Sequence, residues 1–314
     1  MASITLFRRL AVVTAVFAYL QIALGGVVRV SGSGLGCPDW PLCHGRPYPP
    51  ANLHAIIEYS HRAVGSVTGV LIIATVVLAW VVWRTRRPAV AWLATASLIG
   101  VVGEGALGGV VVVNELASWL VLVHLGLAMM ILGSLVATAV MAMPAATGVG
   151  DPAFRRLAAI ATGATYLMLL TGSSVVASNA DQACRSWPLC GGGFRVSFAG
   201  VDAFTMLHRG TVLVVGLVLL HVLTTAVRRW RRGWTWRGHE NGVGAMAQAT
   251  LFVFVLQVAV GALSAITDSS LFNGLHVALA TLVWAGMLTT ALLTLPRADR
   301  DVESLLMAVE KGSA

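Results

Sequence analysis

Long apolar stretches, separated by short polar connections that carry arginine, run through almost the whole chain. Eight of them, approximately 10–30, 61–83, 89–112, 119–142, 157–178, 205–227, 246–266 and 272–295, contain few charges. Each is close to the roughly 20 apolar residues that a helix needs to cross the hydrocarbon core of a bilayer. The pattern predicts an all-α integral membrane protein with eight transmembrane helices. The first stretch follows "FRRL", is longer than the apolar core of a typical signal peptide and ends in "GGVVRVSGSG", a poor cleavage site. It is expected to remain as a helix.

Composition agrees, since 57% of the 314 residues are hydrophobic and 11% are charged. The net charge of +8 would suit nucleic acid if it lay on one soluble face, but the arginines sit in the short connections. Arg8 and Arg9, the "RTRR" of 84–87, Arg155 and Arg156, the "RRWRRGWTWRGHE" of 228–240 and the tail with Arg297, Arg300 and Lys311 alternate with poorer loops. The positive-inside rule places these five segments and both termini in the cytoplasm. The loops near 31–60, 113–118, 179–204 and 267–271 then face outward from a bacterial-type cell membrane. The partner implied is a lipid bilayer, not nucleic acid.

The chain also repeats itself. "GCPDWPLCHG" (36–45) echoes "ACRSWPLCGG" (183–192), and the "HR" of 61–62 echoes the "HR" of 208–209. Cys37 and Cys184, Cys43 and Cys190, His61 and His208, and Arg62 and Arg209 are each 147 positions apart. Further on, "EGALGGV" (104–110) resembles "QVAVGAL" (257–263), and "LVHLGLA" (122–128) resembles "GLHVALA" (274–280). Four helices separate the equivalents, so both halves cross in the same direction, as in a parallel duplication about the membrane normal. The expected architecture is two four-helix bundles, 1–147 and 148–296, followed by a cytoplasmic tail at 297–314.

Four histidines, His61, His124, His208 and His276, fall at corresponding places on the second, fourth, sixth and eighth runs, all toward the outer side. A single buried histidine needs no ligand, but four at repeat-related positions point to one. Facing histidines from different helices of a bundle hold metal cofactors. Zinc spacing signatures are absent, whereas one pair per half among many glycines suits axial ligation of heme: His61 with His124, and His208 with His276. Arg62 and Arg209, beside the ligands, either contact heme propionates or snorkel to the interface. His44, His54 and His239 lie in loops, and His221, without a first-half counterpart, reads as structural.

Cys37 with Cys43 and Cys184 with Cys190 form two pairs in outward loops, where disulfides are favoured. They either staple the loop over the pocket or act in redox chemistry. Glu58, three residues before His61, shares its helical face if the helix reaches back that far. Its counterpart is Thr205, which cannot serve as a carboxylate base. A carboxylate at one pocket only suggests proton handling there, with the alternative that Glu58 merely pairs with Arg62. Glu104, matched by Gln257, is expected to make a buried interhelical hydrogen bond or to transfer protons.

Taken together, "GSGLGCPDWPLCHG", "EYSHR", "GALGGVVV", "LVHL", "ACRSWPLCGG", "MLHR", "VAVGALSA" and "GLHVALA" resemble the heme A synthase family across all eight runs. That family oxidises heme O to heme A for terminal oxidases, converting a porphyrin methyl to a formyl group through a hydroxymethyl intermediate. The resemblance implies that His61 and His124 face the substrate heme, that Glu58 is the acidic residue of that site and that His208 and His276 ligate heme b. Heme O is then the substrate, with heme O synthase as a candidate partner and an unnamed electron donor. The same histidines would also serve a di-heme electron carrier or a heme transporter. A carrier crossing the bilayer would need hemes at two depths, and a transporter would return unmodified heme.

Overall fold

The computed structural model describes residues 2–143, 151–178, 180–190, 196, 198–230, 242–267 and 269–295. Its helices are α1 (Ala2–Val30), α2 (Leu53–Trp83), α3 (Pro88–Val113), α4 (Ser118–Met141), α5 (Pro152–Ala177), the single turn α6 (Ala180–Ala183), α7 (Asp202–Trp230), α8 (Gly242–Thr267) and α9 (Ser270–Leu293). Eight of these are long and apolar enough to cross a membrane, as the hydrophobic pattern predicts. The α6 turn, in the connection between two spans, is too short for any periodicity to announce it. The expected tail at 297–314, His239 with its loop, and the 147/148 division lie outside the described residues.

Helix ends follow from side chains that satisfy orphan backbone groups. Helix α2 begins well before position 61 because the Asn52 side chain accepts from the backbone N–H groups of His54 and Ala55 at 3.0 and 3.2 Å. Glu58 is thereby inside the helix. Asp151 caps α5 in the same way, ahead of Pro152 at the first helical position. At the other end of a span, the last carbonyls of α4 are taken by arginines from neighbouring chain segments. Arg8 Nε donates to Ala142 O at 2.7 Å, and Arg87 Nη1 to Met141 O and Met143 O at 2.9 Å. Arg229, at the end of α7, pairs with Asp151. Basic residues at these ends therefore tie helices together as well as marking topology.

Helices α1, α2, α3 and α4 contact one another in a closed ring, and α5, α7, α8 and α9 form a second. The rings meet through α1 against α9, α4 against α5, and α4 against α9. Exchanging α1 with α5 and α4 with α9 maps the first two contacts onto each other and the third onto itself. That is the pattern expected of two parallel repeats about a common axis, and it is compatible with the duplication in the sequence.

Small residues set how closely the rings approach. Tyr166 of α5 donates its hydroxyl to Gly126 O of α4 at 3.0 Å. One heptad along α4, a Cβ on Gly133 would lie 2.5 Å from Trp284 of α9. Trp284 in turn stacks at 5.9 Å on Tyr166 and joins Ile22, Met129, Leu132 and Leu135 in a shared core. Large apolar side chains such as Val70, Val81, Ile99, Val102 and Phe252 instead point outward and are exposed. Buried positions include many threonines, whose hydroxyls return to the carbonyl one turn earlier, as in Thr68, Thr75 and Thr138. An apolar exterior around an internally satisfied backbone is what hydrocarbon demands.

The Gly133→Val substitution should lower unfolding stability in detergent by about 1–3 kcal/mol, the usual cost of overpacking. Gly163→Ala, where a Cβ meets nothing within 4 Å, should stay within about 0.5 kcal/mol of the parent. Thermal melts of the two variants beside the parent check both.

Candidate functional site

The four histidines lie six to eight residues after the first residue of α2, α4, α7 and α9, spans that all start on one side. His61 is near enough to His124 to interact with it electrostatically, and His208 is similarly close to His276. Each ring rests on a glycine of the helix before its own. A Cβ on Gly25 of α1 would lie 3.1 Å from His61 Cε1, and one on Gly172 of α5 would lie 2.9 Å from His208 Cε1. The corresponding distances are 3.4 Å for Gly108 of α3 to His124 and 2.6 Å for Gly261 of α8 to His276. At Gly25, Gly172 and Gly261 a larger residue would crowd the imidazole, whereas at Gly108 a Cβ would just reach contact.

Polar neighbours hold the rings. Gln21 Nε2 lies 3.3 Å from His61 Nε2, and Gln257 Nε2 lies 3.3 Å from His276 Nε2. Each amide can pair with its ring nitrogen in either sense, according to the imidazole tautomer and the orientation of the amide. In both rings Nδ1 is buried without a partner. The Thr171 hydroxyl is 3.0 Å from His208 Nδ1 while itself bonding Met168 O. Glu104 Oε1 approaches His124 Nδ1 to 3.1 Å, a close contact that is not aligned as a hydrogen bond, and Nδ1 has no other partner. Among the described residues no three His, Cys, Asp or Glu side chains converge, so the histidines come as pairs.

Glu58 and Arg62 occupy the outer mouth of the first pair. Glu58 is buried at 4% exposure, and its Oε1 is 2.5 Å from Arg62 Nη2. Its Oε2 accepts from the Cys37 backbone N–H at 2.8 Å. Arg62 also donates to the carbonyls of Cys37, Asp39 and Leu42 at 2.9, 2.7 and 2.6 Å. The guanidinium thus grips the loop closed by the Cys37–Cys43 disulfide. Trp40 of that loop lies over α3, where a Cβ on Gly109 would be 3.1 Å from its ring. Helices α2 and α3 together seat the loop across the top of the first bundle.

The second half repeats this plan with weaker chemistry. A Cys184–Cys190 disulfide closes the corresponding loop, Arg209 Nη1 donates to Pro188 O at 3.1 Å, and buried Thr205 donates to Ala180 O at 3.3 Å. Both predicted disulfides are therefore present, and both arginines are engaged with loop carbonyls. His221 lies exposed on α7, apart from either histidine pair. His44 belongs to the first outward loop and bonds Gly36 O, whereas His54, expected in that loop, lies in the first turn of α2, where its Nδ1 is 3.0 Å from Ser33 Oγ.

Sequence reading passed over Gln21, Thr171, Gly25 and Gly172, while Gly108 and Gly261 fall among the glycines it placed near the histidines. Gly25 and Gly172 carry the same 147-residue offset as the histidines, so the repeat held a signal for them. Gln21 and Thr171 have Met168 and Leu24 at their equivalent positions, and no pattern marks them.

Outside the membrane, the Asp39 carboxylate accepts from the backbone N–H groups of Gly45 and His44 at 2.7 and 2.6 Å. These bonds, that of Gly45 first, hold its pKa below the ordinary 3.8. The support it gives the loop is complete above that ordinary value and is lost only as pH falls through the lowered one.

The profile of the family described as "Cytochrome oxidase assembly protein" matches residues 8–56 and 51–288. The chain is 30% identical over 278 residues to a protein of Alkalihalophilus pseudofirmus named Heme A synthase, covering 84% of this chain and 93% of that one. A Symbiobacterium thermophilum protein of the same name is 31% identical over 296 residues, covering 88% and 92%. One from Staphylococcus haemolyticus is 27% identical over 300 residues, covering 92% and 94%.

Replacing Arg62 by Gln should release the first loop and speed reduction of Cys37–Cys43 by at least about tenfold, equivalent to losing ~1.4 kcal/mol of protection from a charge-assisted hydrogen bond. Arg209→Gln should expose Cys184–Cys190 instead. Timed treatment with a membrane-impermeant reductant, followed by thiol labelling and peptide mapping, separates the two.

Proposed function

The chain belongs to the cytochrome oxidase assembly protein family, and from that membership we propose that it is a heme A synthase acting in the membrane on heme O. The porphyrin methyl group of heme O is oxidised to a formyl group by way of the hydroxymethyl. His61 and His124 hold the substrate heme in the first bundle, residues 1–147. His208 and His276 hold a resident heme b in the second, residues 148–296. Both termini face the cytoplasm, in keeping with the arginine-rich connections at that side. Heme O synthase is the natural donor of so apolar a substrate.

The donor set supports a heme in each half. His61, His124 and His276 each have a buried ring nitrogen without a protein partner, and every one of the four rings is flanked by a glycine, a donor set that would suit a heme in each half. Bound heme supplies the redox chemistry, and the protein positions and tunes it. Helices α1 to α4 exclude water and fix the orientation of the porphyrin edge. The loop seated by Arg62 and Trp40 closes the outer mouth. Glu58 is the acidic residue at the mouth of the substrate pocket, and Arg62 holds its carboxylate in place. Once their loops release them, Arg62 and Arg209 are the cations nearest the ligands for heme propionates.

The observation that carries this reading is an asymmetry between like halves. Glu58 and Glu104 stand in the first bundle where the second has Thr205 and Gln257. Acid groups beside only one of two equivalent histidine pairs favour chemistry at that pair and electron delivery from the other.

Membranes containing this chain and a heme O supply should yield heme A and its hydroxymethyl precursor on extraction and mass analysis. Glu58→Ala should lower that yield about 10²-fold or more, the usual contribution of a positioned acid–base group. Recovery of only heme b and heme O from intact, heme-loaded parent protein would overturn the synthase reading in favour of an electron carrier.

A further inference from the structure

Resting on the synthase reading, we propose that Glu104 is the positioning residue of the substrate half. Its carboxyl accepts from the Nδ1–H of His124, fixes the ring with Nε2 toward the porphyrin, and makes His124 a stronger donor to iron than its counterpart His276.

Three observations converge on this contact. Glu104 Oε1 lies 3.1 Å from His124 Nδ1, with side-chain exposures of 13% and 27%, and that nitrogen has no competing partner. Gly108, one turn after Glu104 on α3, lets the His124 ring lie against the same helix that carries the carboxyl. Finally, Glu104 Oε2 is buried without a hydrogen-bond partner, so the His124 contact is the polar contact the structure gives this carboxyl. An ionisable group within the membrane costs roughly 2.5–3.5 kcal/mol on insertion scales and is usually functional.

The second half supplies an internal comparison. Gln257 is the equivalent of Glu104, Gly261 of Gly108 and His276 of His124. There the side chain is a neutral amide, and it approaches the other ring nitrogen, Nε2, at 3.3 Å. A carboxyl that accepts from the distal N–H of a ligating imidazole raises the ligand's basicity and stabilises the oxidised metal. A neutral amide at the equivalent position places no such acceptor at Nδ1. The same scaffold thus gives the substrate iron a more electron-rich axial ligand than the heme b iron.

The test uses the full-length protein in detergent, loaded anaerobically with ferric heme O and titrated electrochemically while absorbance is followed. His124→Ala and His276→Ala assign each transition to its half. Glu104→Gln should raise the midpoint potential of the first-half heme, leave the second-half potential at the parent value, and loosen heme O binding about 10–100-fold. The Gln side chain is tolerated at the same place in the second half. The contact is also read without any heme, by NMR of protein labelled with 15N-histidine: the His124 Nδ1 resonance should move in Glu104→Gln while that of His208 stays.

An unchanged first-half potential in Glu104→Gln would overturn the proposal. If that variant holds no heme O, an unmoved His124 resonance would do the same. Failure of the ligand assignment looks different. His124→Ala would then leave the first-half spectrum intact, while the Glu104 contact would still register in the heme-free protein.

Discussion

An imidazole can lie flat between two packed helices only where one of them presents no side chain, and the architecture depends on meeting that condition four times. Gly25, Gly108, Gly172 and Gly261 each sit beneath one histidine, on the helix that precedes it. With a glycine there, the ring is directed along the wall of the bundle and keeps a nitrogen for a ligand. The same device, applied at Gly126 and Gly133, brings α4 against α5 and α9. Close backbone approach at small residues is the main source of helix association in lipid, where no hydrophobic force separates one apolar surface from another.

That constraint explains why polarity is arranged as it is. Lipid-facing positions carry valine, isoleucine, leucine and phenylalanine, so recognition groups must point inward or gather at the helix ends. Inward groups need partners, and the chain supplies them sparingly: an amide for His61 and His276, a hydroxyl for His208 and a carboxyl for His124. At the outer ends, Arg62 and Arg209 turn snorkelling cations into anchors for the disulfide loops. Their charge is satisfied by carbonyl dipoles, which strips those loops of freedom and roofs the bundles.

Much of this was legible in the sequence because hydropathy and repetition are long-range signals. Eight apolar runs gave the spans, and a constant offset tied cysteines, histidines and arginines to one another before any coordinate was known. What stayed hidden depends on side-chain direction. The start of α2 was placed too late because Leu53 to Ser60 reads as mixed polarity, yet the Asn52 cap begins the helix there. Arg62 stands beside His61 in sequence but points to loop carbonyls, which spacing alone cannot show. Gln21 and Thr171 face the rings from α1 and α5 without equivalents in the other half, so the repeat is silent about them.

The departures from symmetry carry the most information. A duplicated bundle begins with two identical pockets, and every later difference between them is either drift or division of labour. Drift at buried, lipid-embedded positions tends toward apolar residues, since an unneeded polar group there costs free energy. The first half instead has carboxyls at Glu58 and Glu104 where the second has a hydroxyl and an amide. Both changes add acidity to the first half: Glu104 on α3 contacts His124, and Glu58 on α2 pairs with Arg62 at the outer mouth. Two independent substitutions of the same chemical sense around one pocket are hard to reconcile with drift. They mark the first half as electrostatically distinct on an otherwise repeated scaffold.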